Sequence, residues 1–545
     1  MLPLAASLAS ASSLLRPRND TGNDFNTQCL AFADTLRDHL TNTTVWFTEP
    51  VAAGTNLSLP DYDPECGDQW QAVGADLCRV VMLMPTSNQS NISAEVWLPT
   101  PDAWTGRFLS TGNGGVSGCI QYYDLAYTAQ MGFSTVGTNN GHNGTSGEAF
   151  YHNDDILEDF VWRALHSGVV LGKEVSNLFY GQEYTKSYYF GCSTGGRQGF
   201  KAAQDFPDDF DGWSVGSPAV AQANLTTWSA SFYPEEGNAT AATYVPTELW
   251  TVVHDDILDQ CDALDGYVDG IIEDAGICHY TPSNAILCSS NTTANASECL
   301  TDAQASTVRK FLSPLINTES DSLVYPAMQP GSELLAAEIY YTGTSFSYSD
   351  DWFRYVVYDD PSWDPALYNA SDMTAAAVQN PFNVQTWKGD LSAVNNKGSK
   401  ILHYHGQQDP VISSYNSPRY YEHVSETMNM SYTELDEFYR FFRISGMGHC
   451  TGGPGATFIG QSITSNFTND PEGNVLSALV RWVEEGIAPE TILGTAYVNE
   501  TQSTGEVAFQ RRHCRYPYRN VYSGSGDPTV PDSWECIIDD AEEAL

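Results

Sequence analysis

The chain has 545 residues, 41% of them hydrophobic and 17% charged, a balance that folds around apolar cores and excludes a disordered segment. That length suits two or three domain-sized units, or one large domain carrying an insertion. The 68 Asp and Glu against 24 Lys and Arg leave a net charge of −44, which repels phosphate backbones and anionic membranes and excludes nucleic acid as an expected partner.

Met1 to Leu15 is apolar and rich in small residues, so residues 1–18 are expected to be a signal peptide, although no Lys or Arg precedes the apolar run. No other stretch approaches the ~20 apolar residues of a membrane span, and no membrane partner is expected. Over residues 19–217, β-rich runs alternate with helical patterns. Arg107–Thr111, Phe133–Gly137 and Ser187–Gly191 read as strands. Ile156, Leu157, Phe160, Val161, Leu165 and Val169 recur at helical spacing and predict a helix within Asp154–Phe179. Strand, helix and strand in turn form the unit of a parallel sheet. Residues 218–396 differ in texture, with four cysteines at short spacings and a compact Asp/Gly run, and are expected to form an inserted lid. The strand pattern returns at Lys400–His405, followed by helical patterns at Ser417–Glu426 and Val475–Glu485. Residues 397–545 are therefore expected to complete the sheet domain begun at 19–217.

The 12 cysteines form an even set with no Cys-x-x-Cys pair, which predicts disulfides and argues against zinc or redox motifs. Fourteen Asn-x-Ser/Thr sequons predict glycans on the exterior of an exported protein. Both features point to a secreted, extracellular chain.

Gly191-Cys192-Ser193-Thr194-Gly195 is a G-x-S-x-G motif between the strand pattern Ser187–Gly191 and a helix-like run from Gly196. That context is a nucleophile elbow, and it predicts an α/β-hydrolase sheet domain with a large inserted lid. A serine nucleophile needs a base, and the base needs an orienting carboxylate, in the chain order Ser, Asp, His. Asp409 lies just past the strand pattern Ile401–His405, and His449 lies in the glycine-flanked Ser445-Gly-Met-Gly-His449-Cys450. His142 is the runner-up for the base, while His403 and His405 fall inside a strand pattern and are expected to be packed. Two cysteines favour His449. Cys192 precedes the serine and Cys450 follows the histidine, so a working triad brings them within disulfide reach. With 12 cysteines in 545 residues, chance puts one at both positions roughly once in two thousand. The oxyanion hole is expected from the amide of Thr194 and that of Gly114 or Gly115, in the glycine-rich Ser110–Val116.

These residues resemble the fungal tannase and feruloyl esterase family, whose hallmark is a cysteine before the catalytic serine bridged to one after the catalytic histidine. Phe108-Leu-Ser-Thr-Gly-Asn-Gly-Gly, Gly191-Cys-Ser-Thr-Gly-Gly-Arg-Gln-Gly, Gln407-Gln-Asp-Pro-Val-Ile-Ser and the run Glu437–Cys450 look most like type B feruloyl esterases. The resemblance implies a structural calcium ion in the lid, with Asp262, Asp265 and Asp269 giving side-chain oxygens and Tyr267 and Ile271 giving carbonyls. Carboxylates spaced by tight turns suit a hard cation that takes six to eight oxygens. It also implies the pairs Cys29–Cys78, Cys66–Cys119, Cys192–Cys450, Cys261–Cys278, Cys288–Cys299 and Cys514–Cys536. The implied substrates are phenolic-acid esters, feruloyl and p-coumaroyl, carried on plant cell-wall polysaccharide. Rival readings are a tannase acting on galloyl esters, a serine peptidase on the same fold, and a secreted carbohydrate-binding protein without catalysis.

Overall fold

The structure is a computed structural model that describes residues 21–289, 298–462, 468–500 and 505–538. The expected signal peptide and the sequons at Asn19, Asn291, Asn295 and Asn466 lie outside the described residues.

Nine strands pair into one sheet: β1 (Thr44–Val51), β2 (Leu77–Pro85), β3 (Asn91–Pro99), β4 (Arg107–Thr111), β5 (Phe133–Thr138), β6 (Lys186–Cys192), β7 (Gly212–Gly216), β8 (Lys400–Gly406) and β9 (Tyr439–Ile444). Their order across the sheet is β1-β2-β3-β5-β4-β6-β7-β8-β9. The pairs from β1 through β3 to β5 are antiparallel. From β5 to β9 every pair is parallel, with β8 and β9 in register from Ile401↔Tyr439 to Gly406↔Ile444. A parallel sheet is buried on both faces, so its strands read as near-continuous apolar runs. Successive side chains still point to opposite faces. Tyr189, Ile401, Tyr439 and Phe441 join one core. Their neighbours Tyr188, Phe190, Leu402, Phe442 and Ile444 join another.

Helices cover both faces. The first core is closed by α1 (Thr21–His39), α3 (Ala164–Tyr180), α4 (Thr194–Asp205) and α5 (Asn416–Met428), and the second by α2 (Tyr122–Gln130) and α6 (Val475–Glu485). α6 shows the local logic. Val475, Leu476, Leu479 and Trp482 form its buried stripe, the Asn474 side chain accepts a hydrogen bond from the Ser477 amide, and Gly486 ends it in the left-handed conformation (φ 74°). The helix expected within Asp154–Phe179 is present and carries a π turn in its path. Asp154–Glu158 and α3 flank a π turn at Asp159–Arg163. The extra residue places the buried Asp159 carboxylate against Arg163 Nε (2.5 Å) and Thr86 Oγ1 (2.6 Å).

Residues 218–396 add no strand to the sheet. They carry a core of their own, in which Trp250 and Phe311 each stack on Tyr341 at 4.5 Å. Beyond α6, an antiparallel hairpin of Thr491–Tyr497 and Val507–Cys514 precedes a ribbon of Arg519–Tyr522 and Trp534–Ile537. Disulfides join Cys29–Cys78, Cys66–Cys119, Cys192–Cys450, Cys261–Cys278, Cys288–Cys299 and Cys514–Cys536. Among the described residues, no helix is long and apolar enough to cross a membrane.

Buried ionisable groups make stability depend on pH. Burial pushes Glu236 up to about 7 against the amide bonds of Gly343 and Val245. Burial likewise pushes Asp436 up to about 6, against the Tyr421 hydrogen bond and the charges of Arg515 and Arg440. Both carboxyls hold protons more tightly folded than unfolded, so they withdraw stability as pH rises from about 4 through these values. Burial lowers His513 to about 4 and His403 well below its ordinary value. Their contribution is complete above the unfolded value of about 6.5 and is lost as pH falls below it. Above that value Glu236 still loses its proton, His254, which Glu333 raises against burial, loses its own, and the charge of −44 adds repulsion. Thermal melts are therefore expected to peak near pH 6 and to fall toward pH 8. A melting temperature that rises across that interval contradicts this account.

Candidate active site

The loops that follow four parallel strands meet at one end of the sheet. Ligands bind outside the carboxyl ends of strands in open α/β sheets, and this is such a place. β6 ends at Cys192, and Ser193 turns directly into α4 with φ 63° and ψ −124°. A non-glycine residue at positive φ is strained, and here its neighbours hold it. The Ser193 amide donates to Gly216 O (3.0 Å), and its carbonyl accepts from the amides of Arg197 and Ala219 (3.0 Å each). Close approach explains one glycine. A Cβ on Gly112 would meet Tyr189 Oη at 2.3 Å and Gly195 Cα at 2.6 Å, so the loop after β4 can lie against the elbow only without a side chain there.

That loop supplies donors. The amides of Gly112 and Asn113 are committed to Phe190 O and Gln198 Oε1. The amides of Gly114, Gly115 and Thr194 donate to no group among the described residues, and all three residues line the cavity in front of Ser193. Thr194 Oγ1 donates to Gly115 O at 2.6 Å, which ties the elbow to the loop. Thr194 also opens α4, where free N–H groups and the helix dipole favour developing negative charge.

The loop after β8 carries Asp409, which is fully buried. Its Oδ1 accepts from the amides of Val411 (2.8 Å) and Ile412 (2.9 Å), and its Oδ2 lies 2.7 Å from His449 Nδ1. Burial alone would raise this carboxyl. The charge of His449 and hydrogen bonds from His405 and His449 outweigh it and hold the group well below the usual carboxylate range. His449 follows β9, and Cys450, at φ 60°, bridges back to Cys192. A ring nitrogen of His449 lies within 4.8 Å of both sulfurs. Ser193 and His449 line the same cavity, and no hydrogen bond joins them in this structure. Such bonds often tighten only when substrate binds.

The cavity measures about 760 Å³. Its lining includes apolar Ile339, Tyr340, Phe346 and Tyr348 from the 218–396 segment and Val411 and Ile412 after β8, and polar Glu65, Gln121, Asp124, Thr145 and Gln461. A mostly apolar cleft with a few convergent polar groups is the usual form of a small-molecule site. His142 does not line it; the ring is buried, and Nε2 lies 2.9 Å from Val116 O. His403 and His405 are buried in β8, and His405 also touches Asp409, a contact that the strand pattern alone gives no sign of.

The five residues considered for calcium lie together in the turn after Cys261. Asp262 accepts from the amides of Asp269 (3.2 Å) and Gly270 (2.9 Å), and Asp265 from that of Tyr267 (2.9 Å). Asp269 accepts from the Ile271 amide (3.1 Å) and pairs with Arg511 (3.2 Å). Asp262 and Asp265 are 5% and 4% exposed. Buried carboxylates without an ion pair are the chemistry that a hard cation satisfies. Each of the three carboxylates accepts from backbone amides of the same short turn. Among the described residues, the set of three His, Cys, Asp or Glu ligand atoms within 4.8 Å of one another is Cys192, His449 and Cys450. That set is a disulfide beside a histidine, not a cation cage.

Comparison with known proteins places this geometry in context. The family model described as tannase and feruloyl esterase matches residues 78–537. A probable feruloyl esterase B-2 of Aspergillus terreus is 53% identical over 514 residues, 94% of this chain and 96% of that one. The crystal structure of feruloyl esterase B from Aspergillus oryzae superposes with a TM-score of 0.90 at 47% identity, covering 94% of this chain and all of the other. A tannin acyl hydrolase from Aspergillus niger shares the fold, with a TM-score of 0.72 at 21% identity over 94% of this chain and 96% of that chain.

Proposed function

The chain belongs to the tannase and feruloyl esterase family and is a carboxylic ester hydrolase; from that premise we propose that it hydrolyses feruloyl and p-coumaroyl esters through an acyl-enzyme on Ser193. The observation that carries the acyl preference is the contrast in identity. It is 53% to a probable feruloyl esterase across nearly the whole chain, but 21% to a tannin acyl hydrolase of the same fold.

In the proposed mechanism, His449 takes the proton of Ser193 as Oγ attacks the ester carbonyl. Asp409, held ionised by its donors, orients His449 through Nδ1 and stabilises the imidazolium. The amides of Thr194 and of Gly114 or Gly115 receive the oxyanion. His449 then returns the proton to the departing alcohol, and water attacks the acyl-enzyme by the same route. The apolar residues of the lining suit a flat phenolic ring. The polar ones suit the alcohol, which we take to be a sugar of plant cell-wall polysaccharide. Export fits six disulfides and many sequons. Residues 218–396 act in this reading as a lid between catalytic parts 19–217 and 397–545.

The test is hydrolysis of methyl ferulate, methyl p-coumarate and methyl gallate side by side, with Ser193→Ala as control. Faster turnover of the two hydroxycinnamates, lost in the variant, supports the proposal. Preference for gallate replaces it with a tannase.

We further propose that Asp262, Asp265 and Asp269, with the carbonyls of Tyr267 and Ile271, hold a structural calcium ion, which supplies charge balance to buried carboxylates and takes no part in the chemistry. Chelation is expected to lower the melting temperature, and calcium to restore it. At calcium about a hundred times its Kd the linkage is about 2.7 kcal/mol. Identical melts with and without chelator contradict the site.

A further inference from the structure

Asp409 is contacted by two histidines. His449 meets Oδ2 from the cavity side at 2.7 Å, and His405 Nε2 approaches the same oxygen from inside the protein at 3.2 Å. His405 Nε2 also lies 3.1 Å from Ile412 O. Behind it, His405 Nδ1 lies 2.6 Å from Ser417 Oγ, which is 2.9 Å from His403 Nε2, and His403 Nδ1 is 2.9 Å from Tyr439 Oη. None of these five side chains is more than 1% exposed.

One end of this chain has a fixed direction. A carbonyl oxygen and an ionised carboxylate oxygen can only accept, so His405 Nε2 carries a proton and presents it between Ile412 O and Asp409 Oδ2. Ser417, His403 and Tyr439 are bonded in sequence behind the ring and hold it there. Such bonds are stronger in a low-dielectric interior than in water.

We propose that His405 is a positioning residue for the triad, fixing Asp409 from behind so that its Oδ2 faces His449. The proposal rests on the reading of Asp409 and His449 given above. With the Val411 and Ile412 amides on Oδ1 and His449 on Oδ2, His405 adds a fourth N–H beside the buried carboxylate, shared with Ile412 O. The ionisable groups around His405 are Asp409, His403, Tyr439 and, across Asp409, His449. Without the His405 donor, Asp409 holds a proton-bearing His449 more tightly and in a less fixed geometry.

His405→Met keeps the volume and removes the donor, and His405→Gln returns an N–H near the position of Nε2. For His405→Met we expect kcat for methyl ferulate to fall about tenfold to a hundredfold, the range for losing one hydrogen bond to a charged group. KM should change little, and the acid limb of the kcat/KM profile should move to higher pH. His405→Gln should recover most of the loss. If His405→Met does not fold, His405→Asn keeps a polar side chain too short to bring its amide to Asp409 Oδ2, and should lower kcat and move the acid limb the same way. Unchanged kcat and an unmoved acid limb in the folded variant overturn the proposal, as does a loss that His405→Gln does not relieve. A retained activity in Ser193→Ala or His449→Ala would instead remove the triad reading on which the proposal stands.

Discussion

Ser193→Ala and His449→Ala are each expected to lower kcat on methyl ferulate by about 10⁶, and the double variant to fall no further. The non-additivity is the sharper part. Serine is a poor nucleophile without its base, and the base has nothing to deprotonate without the serine, so losing either removes the whole unit. Asp409→Asn should cost about 10⁴, because an asparagine can orient the imidazole in the wrong tautomer and cannot stabilise its charge. What remains in these variants is the work of the Thr194, Gly114 and Gly115 amides, which the substitutions leave in place. Losses that multiply in the double variant would mean that Ser193 and His449 act separately.

Opening the Cys192–Cys450 bridge should be the next largest effect. Its partners are 258 residues apart, the longest separation among the six disulfides. Cross-links that close long loops stabilise by about 2–5 kcal/mol. More is at stake here than stability. Cys192 is bonded to Ser193, the proposed nucleophile, and Cys450 to His449, the proposed base, and both Ser193 and Cys450 sit at positive φ. The bridge is therefore what holds two strained turns against each other. We expect Cys192→Ala with Cys450→Ala to lose about a hundredfold in kcat where it is still folded, the cost of a misplacement near 1 Å. The pair Cys514→Ala and Cys536→Ala, far from the cavity, should lower the melting temperature and leave kcat unchanged. Full activity in the first pair would reduce the bridge to a staple.

Some of this was legible from residues alone because the signal is short and contiguous. The elbow needs a strand, a turn and a helix in quick succession, and Ser187–Ala203 supplies them in order. Cys192 and Cys450 extend that signal, since each neighbours the residue whose partner it implies. The remaining disulfides follow from the family resemblance, because ten cysteines leave roughly nine hundred pairings open. The π turn at Asp159–Arg163 is invisible to periodicity, since one extra residue shifts the phase of the stripe without removing it. The core of residues 218–396, where Trp250 and Phe311 both pack on Tyr341 and lie 6.2 Å from each other, depends on contacts between segments that no local pattern reports. His405 illustrates the limit best. Strand alternation says that it is buried, which is correct, but its contact with Asp409 depends on how the loop after β8 folds back.

The most direct test of the central claim is covalent labelling. The protein is incubated with an organophosphate while methyl ferulate hydrolysis is followed, and the labelled peptide is identified by mass spectrometry. The account predicts one phosphoryl group on Ser193, gained in step with the loss of activity and gained far more slowly in His449→Ala. Inactivation with Ser193 unmodified, or full activity with Ser193 labelled, would contradict it.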